Sequence, residues 1–277
     1  MIELSEKLKK KLDGLIALLK AQKVIVAFSG GIDSSLLAYL SKKNAEETLL
    51  ITMKSLLYSE EETEEARNFA LNYNIPHLFL ETEPLSNEEF SQNKINRCYT
   101  CKKDIFAKIL KVKEERGYNL VIEGSNITDL GDYRPGLDAL KELNILSPYI
   151  KADIDKDEIR LVSKYFQLET ESKPSGACFA SRIPYNQVIT ESKLKMIENA
   201  EKFLKDSFNL TQLRVRYHDE KIARIEVLKK DLEKIINDKS IDKIIDKFKE
   251  IGFCYITIDL EGFRSGSLNE ILSNSRN

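Results

Sequence analysis

The sequence predicts an α/β protein in which a doubly wound parallel sheet is followed by a smaller α+β domain. Apolar strands alternate with helices through residues 1–168, paired glycines follow the first strand, and the alternation changes after residue 187. Residues 169–187 carry two prolines and one glycine between these patterns. We therefore expect domains at residues 1–168 and 188–277, joined by a functional linker at 169–187 that contains Cys178.

Hydrophobic periodicity predicts the elements of the first domain in chain order. Leucines at helical spacing predict a helix over residues 3–21. Strands are predicted at residues 24–28, 48–53, 76–80, 119–124 and 145–149. Helices are predicted after the first strand and at residues 60–73, 99–116 and 155–167. His77 lies inside the third strand, where we expect it to pack rather than to bind a metal.

The second domain has a different pattern. A helix is predicted at 191–206, a hairpin of strands at 213–217 and 222–227, a helical stretch at 229–250 and a last strand at 253–258. Arg214 and Arg216 share one face of their strand, as do Arg224 and Glu226. Paired guanidiniums suit a phosphate or carboxylate, but a solvated face with cross-strand ion pairs is an equal alternative. Cys254 lies in the last strand and is expected in the core.

A serine- and glycine-rich loop follows the first strand. Its residues, with the helix start that follows, are Ser29, Gly30, Gly31, Ile32, Asp33, Ser34 and Ser35. Backbone N–H groups, serine hydroxyls and the positive end of the helix form a nest of phosphate size. The loop lacks the Gly-Lys-Ser/Thr of a Walker A motif. It resembles the PP-loop of ATP pyrophosphatases, which split ATP between the α- and β-phosphates and hold the pyrophosphate.

Two further groups of residues suggest chemistry. Gly124, Asn126 and Arg134 follow the fourth strand, together with Asp129 and Asp132, so they are expected beside the first loop unless they form an ordinary connection. The cysteines of interest are Cys98, Cys101 and Cys178. A lone CxxC fits half a zinc site, a redox pair or no function, whereas three thiolates without a fourth ligand suit a [4Fe–4S] cluster with one open iron.

With these residues the chain resembles the LarE family, the ATP-dependent sulfur-inserting enzymes of nickel-pincer cofactor synthesis. The resemblance runs nearly end to end, through residues 29–34, 124–126, 132–136, 157–160, 173–174, 178–182, 214–216 and 223–227. The Cys178-Phe179-Ala180-Ser181-Arg182 and Arg214-Val215-Arg216 segments are its specific parts. It implies a PP-loop, adenine nucleotide alpha hydrolase-like fold. It also implies a substrate, pyridinium-3,5-biscarboxylic acid mononucleotide, whose carboxylates are adenylated and become thiocarboxylates.

The resemblance also implies roles for individual residues. ATP would be held by Ser29, Gly30, Gly31, Asp33, Ser34, Ser35, Gly124, Asn126 and Arg134, with Mg²⁺ offsetting phosphate charge. Cys178 and Asp33 would be catalytic. The substrate would be bound by Arg182, Glu201, Arg214, Arg216 and Glu226. Some family members sacrifice the sulfur of the cysteine equivalent to Cys178. Others use sulfide on a [4Fe–4S] cluster, and the presence of Cys98 and Cys101 favours that route, with Cys178 as third ligand.

Composition narrows the partners and the alternatives. A net charge of −2 gives no basic field for nucleic acid, so the predicted partners are the pyridinium mononucleotide and sulfide or another sulfur donor. No apolar run is long enough to span a membrane and no signal peptide is evident, so we expect a cytoplasmic protein. We also expect a homo-oligomer. A tRNA thiolase would need a basic surface, an amide ligase such as NAD or GMP synthetase would not need three cysteines, and a nucleotide sensor would bind ATP without cleaving it.

Overall fold

The computed structural model describes residues 3–131, 134–174 and 176–270. These residues form two compact units. The first contains the chain up to Thr82 and Asn96–Gly176, and the second contains Glu83–Ile95 and the chain from Ala177 onward. The division after Gly176 lies inside the linker predicted at residues 169–187, whereas the assignment of residues 83–95 to the second unit has no counterpart in the sequence prediction.

The first unit is built on a parallel sheet with strand order β3-β2-β1-β4. The strands are β1 Lys23–Ala27, β2 Glu47–Lys54, β3 His77–Glu81 and β4 Leu120–Ile122. Each lies where the sequence predicts a strand. Val24 and Val26 belong to one apolar cluster and Ile25 to another, since successive side chains point to opposite faces. The doubly wound sheet, covered on both faces, is therefore confirmed.

Helices cover the two faces of this sheet. The helices of the first unit are α1 Glu6–Leu19, α2 Ile32–Asn44, α3 Glu60–Asn72, α5 Arg97–Arg116, α6 Gly136–Glu142, α7 Pro148–Lys151 and α8 Lys156–Tyr165. The short helix α4 Glu88–Ser91, between α3 and α5 in chain order, belongs to the second unit. Buried residues of α1, α2, α3 and α8 share the cluster of Val24 and Val26. Buried residues of α5 and α6 share the cluster of Ile25.

The predicted fifth strand at residues 145–149 is wrong. Leu146 makes a single parallel bridge with Ile122, and Pro148 then begins α7. A proline has no N–H to donate to a sheet ladder but fits the first turn of a helix, so the segment leaves the sheet after one bridge.

The order of the strands brings two loops together. The chain runs from β1 outward to β2 and β3, then returns to place β4 on the other side of β1. The register pairs Val26 with Ile122, so the loops after β1 and β4 leave the same edge of the sheet side by side. This reversal of strand order is where open α/β sheets bind ligands.

The second unit contains a three-stranded sheet with order β5-β6-β7. Its remaining elements are α9 Glu191–Phe208, β5 Leu213–His218, β6 Ile222–Val227, α10 Leu232–Ile235, α11 Asp238–Ile251 and β7 Tyr255–Ile258. The predicted hairpin is β5-β6, and β7 pairs parallel to β6. The helical stretch predicted at 229–250 is divided because the Asn237 side chain accepts from the Ser240 N–H and starts α11 anew.

Two details of the second unit differ from expectation. Cys254 is exposed, not part of the core, because it immediately precedes β7, a strand at the edge of the sheet, while its neighbour Phe253 is buried. Residues 83–95 join this unit through Asn93, whose side-chain amide donates to the Ile183 and Pro184 carbonyls at 3.1 and 2.8 Å. Of the helices in the described residues, none is both long and apolar enough to cross a bilayer.

Candidate functional site

The loop after β1 is held in a defined shape by its own polar groups. The Ser34 hydroxyl donates to the Gly31 carbonyl at 3.1 Å and accepts from the Ser29 N–H at 3.2 Å. Because its single hydrogen is already used, the 3.1 Å contact between the two serine hydroxyls has Ser29 as donor. Gly30 has φ +69°, and a Cβ there would lie 3.3 Å from the Ala66 Cβ. The turn and the close approach of α3 therefore both require glycine.

The loop ends at the N-terminus of α2. Its N-cap is Gly31, which has no side chain to cap the first turn, so the first N–H groups of the helix face the loop. The Ser35 hydroxyl is fully buried and has no hydrogen-bond partner among the described residues. The N–H groups of this first turn and the helix dipole favour binding of an anion, so the anion nest stays a prediction that this geometry supports.

The loop after β4 packs directly against this helix start. A Cβ on Gly124 would lie 3.0 Å from the Asp33 Cβ and 3.2 Å from the Ser34 nitrogen, so only glycine allows this approach. The Asn126 amide donates to Asp33 Oδ1 at 3.3 Å. Tyr149 is the last residue of the predicted fifth strand. Its buried hydroxyl donates to the Asp33 carbonyl at 2.9 Å. Burial, with the Asp33 carboxylate, raises the pKa of Tyr149 well above its usual value, so it stays a donor.

Two lysines that sequence reasoning missed also contact the loop. The Lys156 ammonium, at the first position of α8, forms an ion pair with Asp33 Oδ2. The Lys173 ammonium donates to the Gly30 carbonyl at 2.9 Å and pairs with Glu65 at 2.5 Å. Lys173 lies in one of the segments that carry the family resemblance and Lys156 directly precedes another, but nothing in their spacing places them at the loop. Each ammonium already has a carboxylate partner.

Arg134 lies beside this site with its own acidic partner. Its guanidinium pairs with Asp129 at 2.9 Å and is half exposed. Asp129 also accepts from the Asn126 N–H at 3.0 Å, so Arg134 is linked to the loop after β4. Asp132 lies outside the described residues.

In the second unit, Arg182 holds the turn that contains Cys178. Its guanidinium donates to the carbonyls of Ala177 and Cys178, the latter at 3.0 Å, and forms two 2.9 Å bonds with the Glu201 carboxylate. Arg182 is only 3% exposed. Glu201 in turn accepts from the Val215 N–H at 2.8 Å, which connects the turn to β5.

A second arginine pair lies on the face of the hairpin. Arg216 makes a bidentate pair with fully buried Glu226 at 2.9 and 3.0 Å and donates to the Ser181 carbonyl at 2.7 Å. Arg224 also bonds Glu226 at 3.0 Å. This face is therefore largely buried, not solvated. Arg214 donates to its own strand at the Leu213 carbonyl and stacks on Phe263, with its guanidinium carbon 5.2 Å from the ring centre.

The cysteines are divided between the units. Cys98 and Cys101 lie one turn apart at the start of α5, exposed and half-buried, and Cys178 is half-buried in the second unit. Within residues 3–131, 134–174 and 176–270, no three His, Cys, Asp or Glu side chains form a group that could hold a metal ion. The predicted [4Fe–4S] cluster is therefore not supported by the described residues.

His77 is packed in β3 as the sequence indicates. It contacts the Thr52 hydroxyl at 2.8 Å, and because that hydroxyl donates to the Phe28 carbonyl, the imidazole Nε2 must be the donor. Burial, with Arg67 nearby, lowers the pKa of His77 to about 4. The side chain is therefore neutral at pH 7.

Comparison with known proteins agrees with this geometry. The NAD synthase family profile matches residues 4–112, which include β1, the loop and α2. An uncharacterized protein of Synechocystis sp. is 36% identical over 252 residues, covering 91% of this chain and 93% of that protein. The pyridinium-3,5-bisthiocarboxylic acid mononucleotide synthase of Lactiplantibacillus plantarum is 32% identical over 273 residues, covering 96% of each chain. The chain belongs to the LarE family.

Membership of the LarE family, with its PP-loop relatives, makes this chain an ATP-dependent enzyme of the sulfurtransferase kind. A more distant relative, by its name, also inserts sulfur. The tRNA-specific 2-thiouridylase MnmA of Clostridioides difficile is 25% identical over 220 residues, covering 64% of this chain and 60% of that protein.

Proposed function

We propose that this enzyme uses ATP to adenylate the carboxylates of pyridinium-3,5-biscarboxylic acid mononucleotide and converts them to thiocarboxylates, releasing AMP and pyrophosphate. The observation that carries the proposal is the pyrophosphate-sized nest at residues 29–35, in a chain that matches the Lactiplantibacillus plantarum synthase from end to end. Adenylation fits the substrate because a carboxylate has no good leaving group, whereas AMP departs readily from a mixed anhydride.

The first step would take place at the loop. A substrate carboxylate oxygen attacks the α-phosphorus of ATP, and the bond to the β-phosphate breaks. The nest already presents its donors where the pyrophosphate charge develops, so little reorganisation is needed during the reaction. Asp33 is the carboxylate best placed to hold Mg²⁺, which would supply compensating positive charge to the phosphates. Gly124 and Asn126 would keep that carboxylate in place, and Arg134 stays a predicted nucleotide contact.

The second step would transfer sulfur to the activated carbonyl carbon with departure of AMP. In one route the Cys178 thiolate attacks, AMP leaves, and elimination from the resulting thioester yields a thiocarboxylate and dehydroalanine. In the other route free sulfide attacks the same carbon and AMP leaves. The family resemblance suggests that Cys98, Cys101 and Cys178 would hold a [4Fe–4S] cluster, which would supply that sulfide. Because no group of three candidate metal ligands is found among the described residues, we derive no step through a cluster.

Arg182 and Glu201 would act in the second step by positioning Cys178. The guanidinium of Arg182 makes two hydrogen bonds to Glu201 of α9 and two to the carbonyls of residues 177 and 178. These bonds fix the turn at Cys178 against α9. This positioning role stands beside their predicted contact with the substrate. Arg214, Arg216 and Glu226 stay predicted substrate-binding residues.

Anaerobic incubation with ATP, sulfide and the dicarboxylate mononucleotide tests the proposal, with mass spectrometry of product and protein. We expect AMP, pyrophosphate and thiocarboxylate in step with substrate loss. Formation of ADP and phosphate, or no substrate-dependent ATP cleavage, would refute it. Cys178→Ala should still release pyrophosphate in its first turnover but insert little sulfur, whereas Cys254→Ala, which changes an exposed thiol of the same unit, should behave like the wild type.

Mass spectrometry of the protein from this incubation, together with iron analysis and two further variants, distinguishes the two sulfur sources. Dehydroalanine at position 178 after one turnover indicates the sacrificial route. Iron with acid-labile sulfide in the anaerobic protein, together with loss of turnover in Cys98→Ala and Cys101→Ala, indicates the cluster.

Thiolation of tRNA is the second candidate, because the MnmA relative uses a related sequence over 64% of this chain. That reaction requires binding to the phosphate backbone, which weakens steeply with salt. Salt-sensitive tRNA binding and incorporation of sulfur into tRNA would favour it over the mononucleotide.

A further inference from the structure

Lys173 connects the segment before Cys178 to the nucleotide loop. Its ammonium donates to the Gly30 carbonyl at 2.9 Å and pairs with Glu65 of α3 at 2.5 Å, while its side chain is 23% exposed. Residues before and after Lys173 also lie against α3. Glu169 accepts from the Asn72 amide at 3.3 Å, and a Cβ on Gly176 would lie 3.3 Å from Glu62 Oε1. Lys173 is thus held at the loop by a segment that is itself anchored.

The chemistry of the loop calls for a cation at this place. The loop sequence contains no lysine, unlike a Walker A loop, yet the departing pyrophosphate carries several negative charges. The Lys173 ammonium is bonded to the backbone of Gly30, next to the N–H groups that form the nest. An ammonium has three donors, and the described contacts use two of them, on Gly30 and Glu65. The remaining donor can reach an anion without loss of either contact.

We propose that Lys173 binds the β- and γ-phosphates of ATP and stabilises the pyrophosphate as it leaves. Glu65 holds the ammonium in place and balances its charge when the nest contains no nucleotide. This inference rests on the proposed function, because it assumes cleavage of ATP between the α- and β-phosphates. It assigns to residue 173 the positive charge that a Walker lysine supplies from within its own loop.

Measurement of dissociation constants for Mg·pyrophosphate, Mg·ATP and AMP by calorimetry tests the role of Lys173. Lys173→Gln should weaken pyrophosphate and ATP binding about tenfold, roughly the value of one hydrogen bond from a charged donor, and AMP binding less than about twofold. Lys173→Arg should retain most of the affinity. Glu65→Gln should strengthen pyrophosphate binding, since it keeps a hydrogen-bond acceptor for the ammonium but removes a negative charge that repels the anion.

Lys23→Gln is the matched control. Lys23 also pairs with a carboxylate, Glu47 at 3.2 Å, but it begins β1 and so lies at the end of the strand opposite the loop. It should leave all three constants unchanged. Equal weakening of AMP and pyrophosphate by Lys173→Gln would indicate a merely structural role and overturn the inference, as would unchanged pyrophosphate binding.

The assay also separates this inference from the proposed function, because it uses no pyridinium substrate. A wild-type enzyme that binds pyrophosphate through Lys173 but does not convert the mononucleotide would contradict only the proposed function. A wild-type enzyme that binds neither ATP nor pyrophosphate would contradict both.

Discussion

Replacement of Arg182 by lysine should separate the two halves of the reaction. Arg182 lies in the second unit and binds the turn at Cys178, whereas the loop after β1, with Asp33, lies in the first unit. Lysine keeps the positive charge but has one nitrogen in place of the guanidinium fork. It can retain one bond to Glu201 and must release the carbonyls of residues 177 and 178.

The structure gives a magnitude for this change. Arg182→Lys loses one of two 2.9 Å bonds to Glu201 and two bonds to backbone carbonyls, and it does so at a side chain only 3% exposed. At about 1 kcal/mol for each net hydrogen bond, the free energy of unfolding should fall by about 2–3 kcal/mol. A displacement of the Cys178 thiol by about 1 Å should slow sulfur transfer about 100-fold. The rate of adenylation, measured as pyrophosphate formed in the first turnover, should change less than about threefold.

The assay measures pyrophosphate with a coupled enzyme and thiocarboxylate by mass spectrometry in the same samples, at several substrate concentrations. The expected result is a large rise in pyrophosphate formed per sulfur inserted during the first turnover, with KM for the mononucleotide unchanged. Arg264→Lys is the matched control, because Arg264 makes a similar two-bond contact with Glu270, at 3.0 and 3.2 Å, on the surface of the same unit. An unchanged pyrophosphate-to-sulfur ratio with a raised KM would refute positioning and support direct contact with the substrate.

Three further results are expected. Gly124→Ala places a methyl group 3.0 Å from the Asp33 Cβ and should weaken ATP binding about tenfold in calorimetry and lower the free energy of unfolding by about 1–3 kcal/mol. Glu226→Leu leaves the buried Arg216 guanidinium without its carboxylate and should lower the free energy of unfolding by about 3–5 kcal/mol in denaturant titration. His77 should titrate near pH 4 by NMR. Because the unfolded chain binds this proton below its ordinary pKa of about 6.5, stability should fall as pH drops from 6.5 to 4, by about 1–2 kcal/mol after allowance for partial exposure, and His77→Asn should remove that loss.

Each of these expectations has a clear contrary outcome. Wild-type ATP affinity in Gly124→Ala would mean that the two loops move apart freely. A stable Glu226→Leu protein would mean that Arg216 finds solvent or another acceptor. A His77 signal that titrates near pH 6.5 would contradict the burial of the imidazole.

The sheet and the position of the nucleotide loop follow from the sequence for a simple reason. Val24, Ile25 and Val26 each fill one of two apolar clusters, so the strand is apolar without interruption, as a buried parallel strand must be. Given that sheet, the strand-end rule places Gly124 and Asn126 beside Asp33, and the structure does so. The strand predicted at 145–149 was wrong because its apolar residues have the pattern of a strand. Only Pro148 indicates that the hydrogen bonding to β4 must end there.

The lysines of the site were beyond the reach of such rules. Lys156 and Lys173 contact the loop from positions 123 and 143 residues away from their partners, through single ammonium groups. Periodicity locates faces of helices and strands, but it does not specify which exposed lysine among many meets a given loop. The prediction that Cys254 lies in the core was wrong for a related reason. An apolar strand at the edge of a sheet has one face toward solvent, and the sequence does not show which strand lies at the edge.

The two lysines account for the charge balance at this loop when no anion is bound. Lys156 is paired with Asp33 and Lys173 with Glu65, so the loop has two positive and two negative charges close to it. An excess of positive charge in this partly buried place would repel itself and disfavour the compact loop, and paired charges avoid that cost. On the proposed function, the third donor of Lys173 would bond a phosphate oxygen while its contacts with Gly30 and Glu65 stay in place. Asp33 would exchange Lys156 for a magnesium ion, and Lys156 would then pair with a phosphate oxygen, so that no charge at the loop loses its partner.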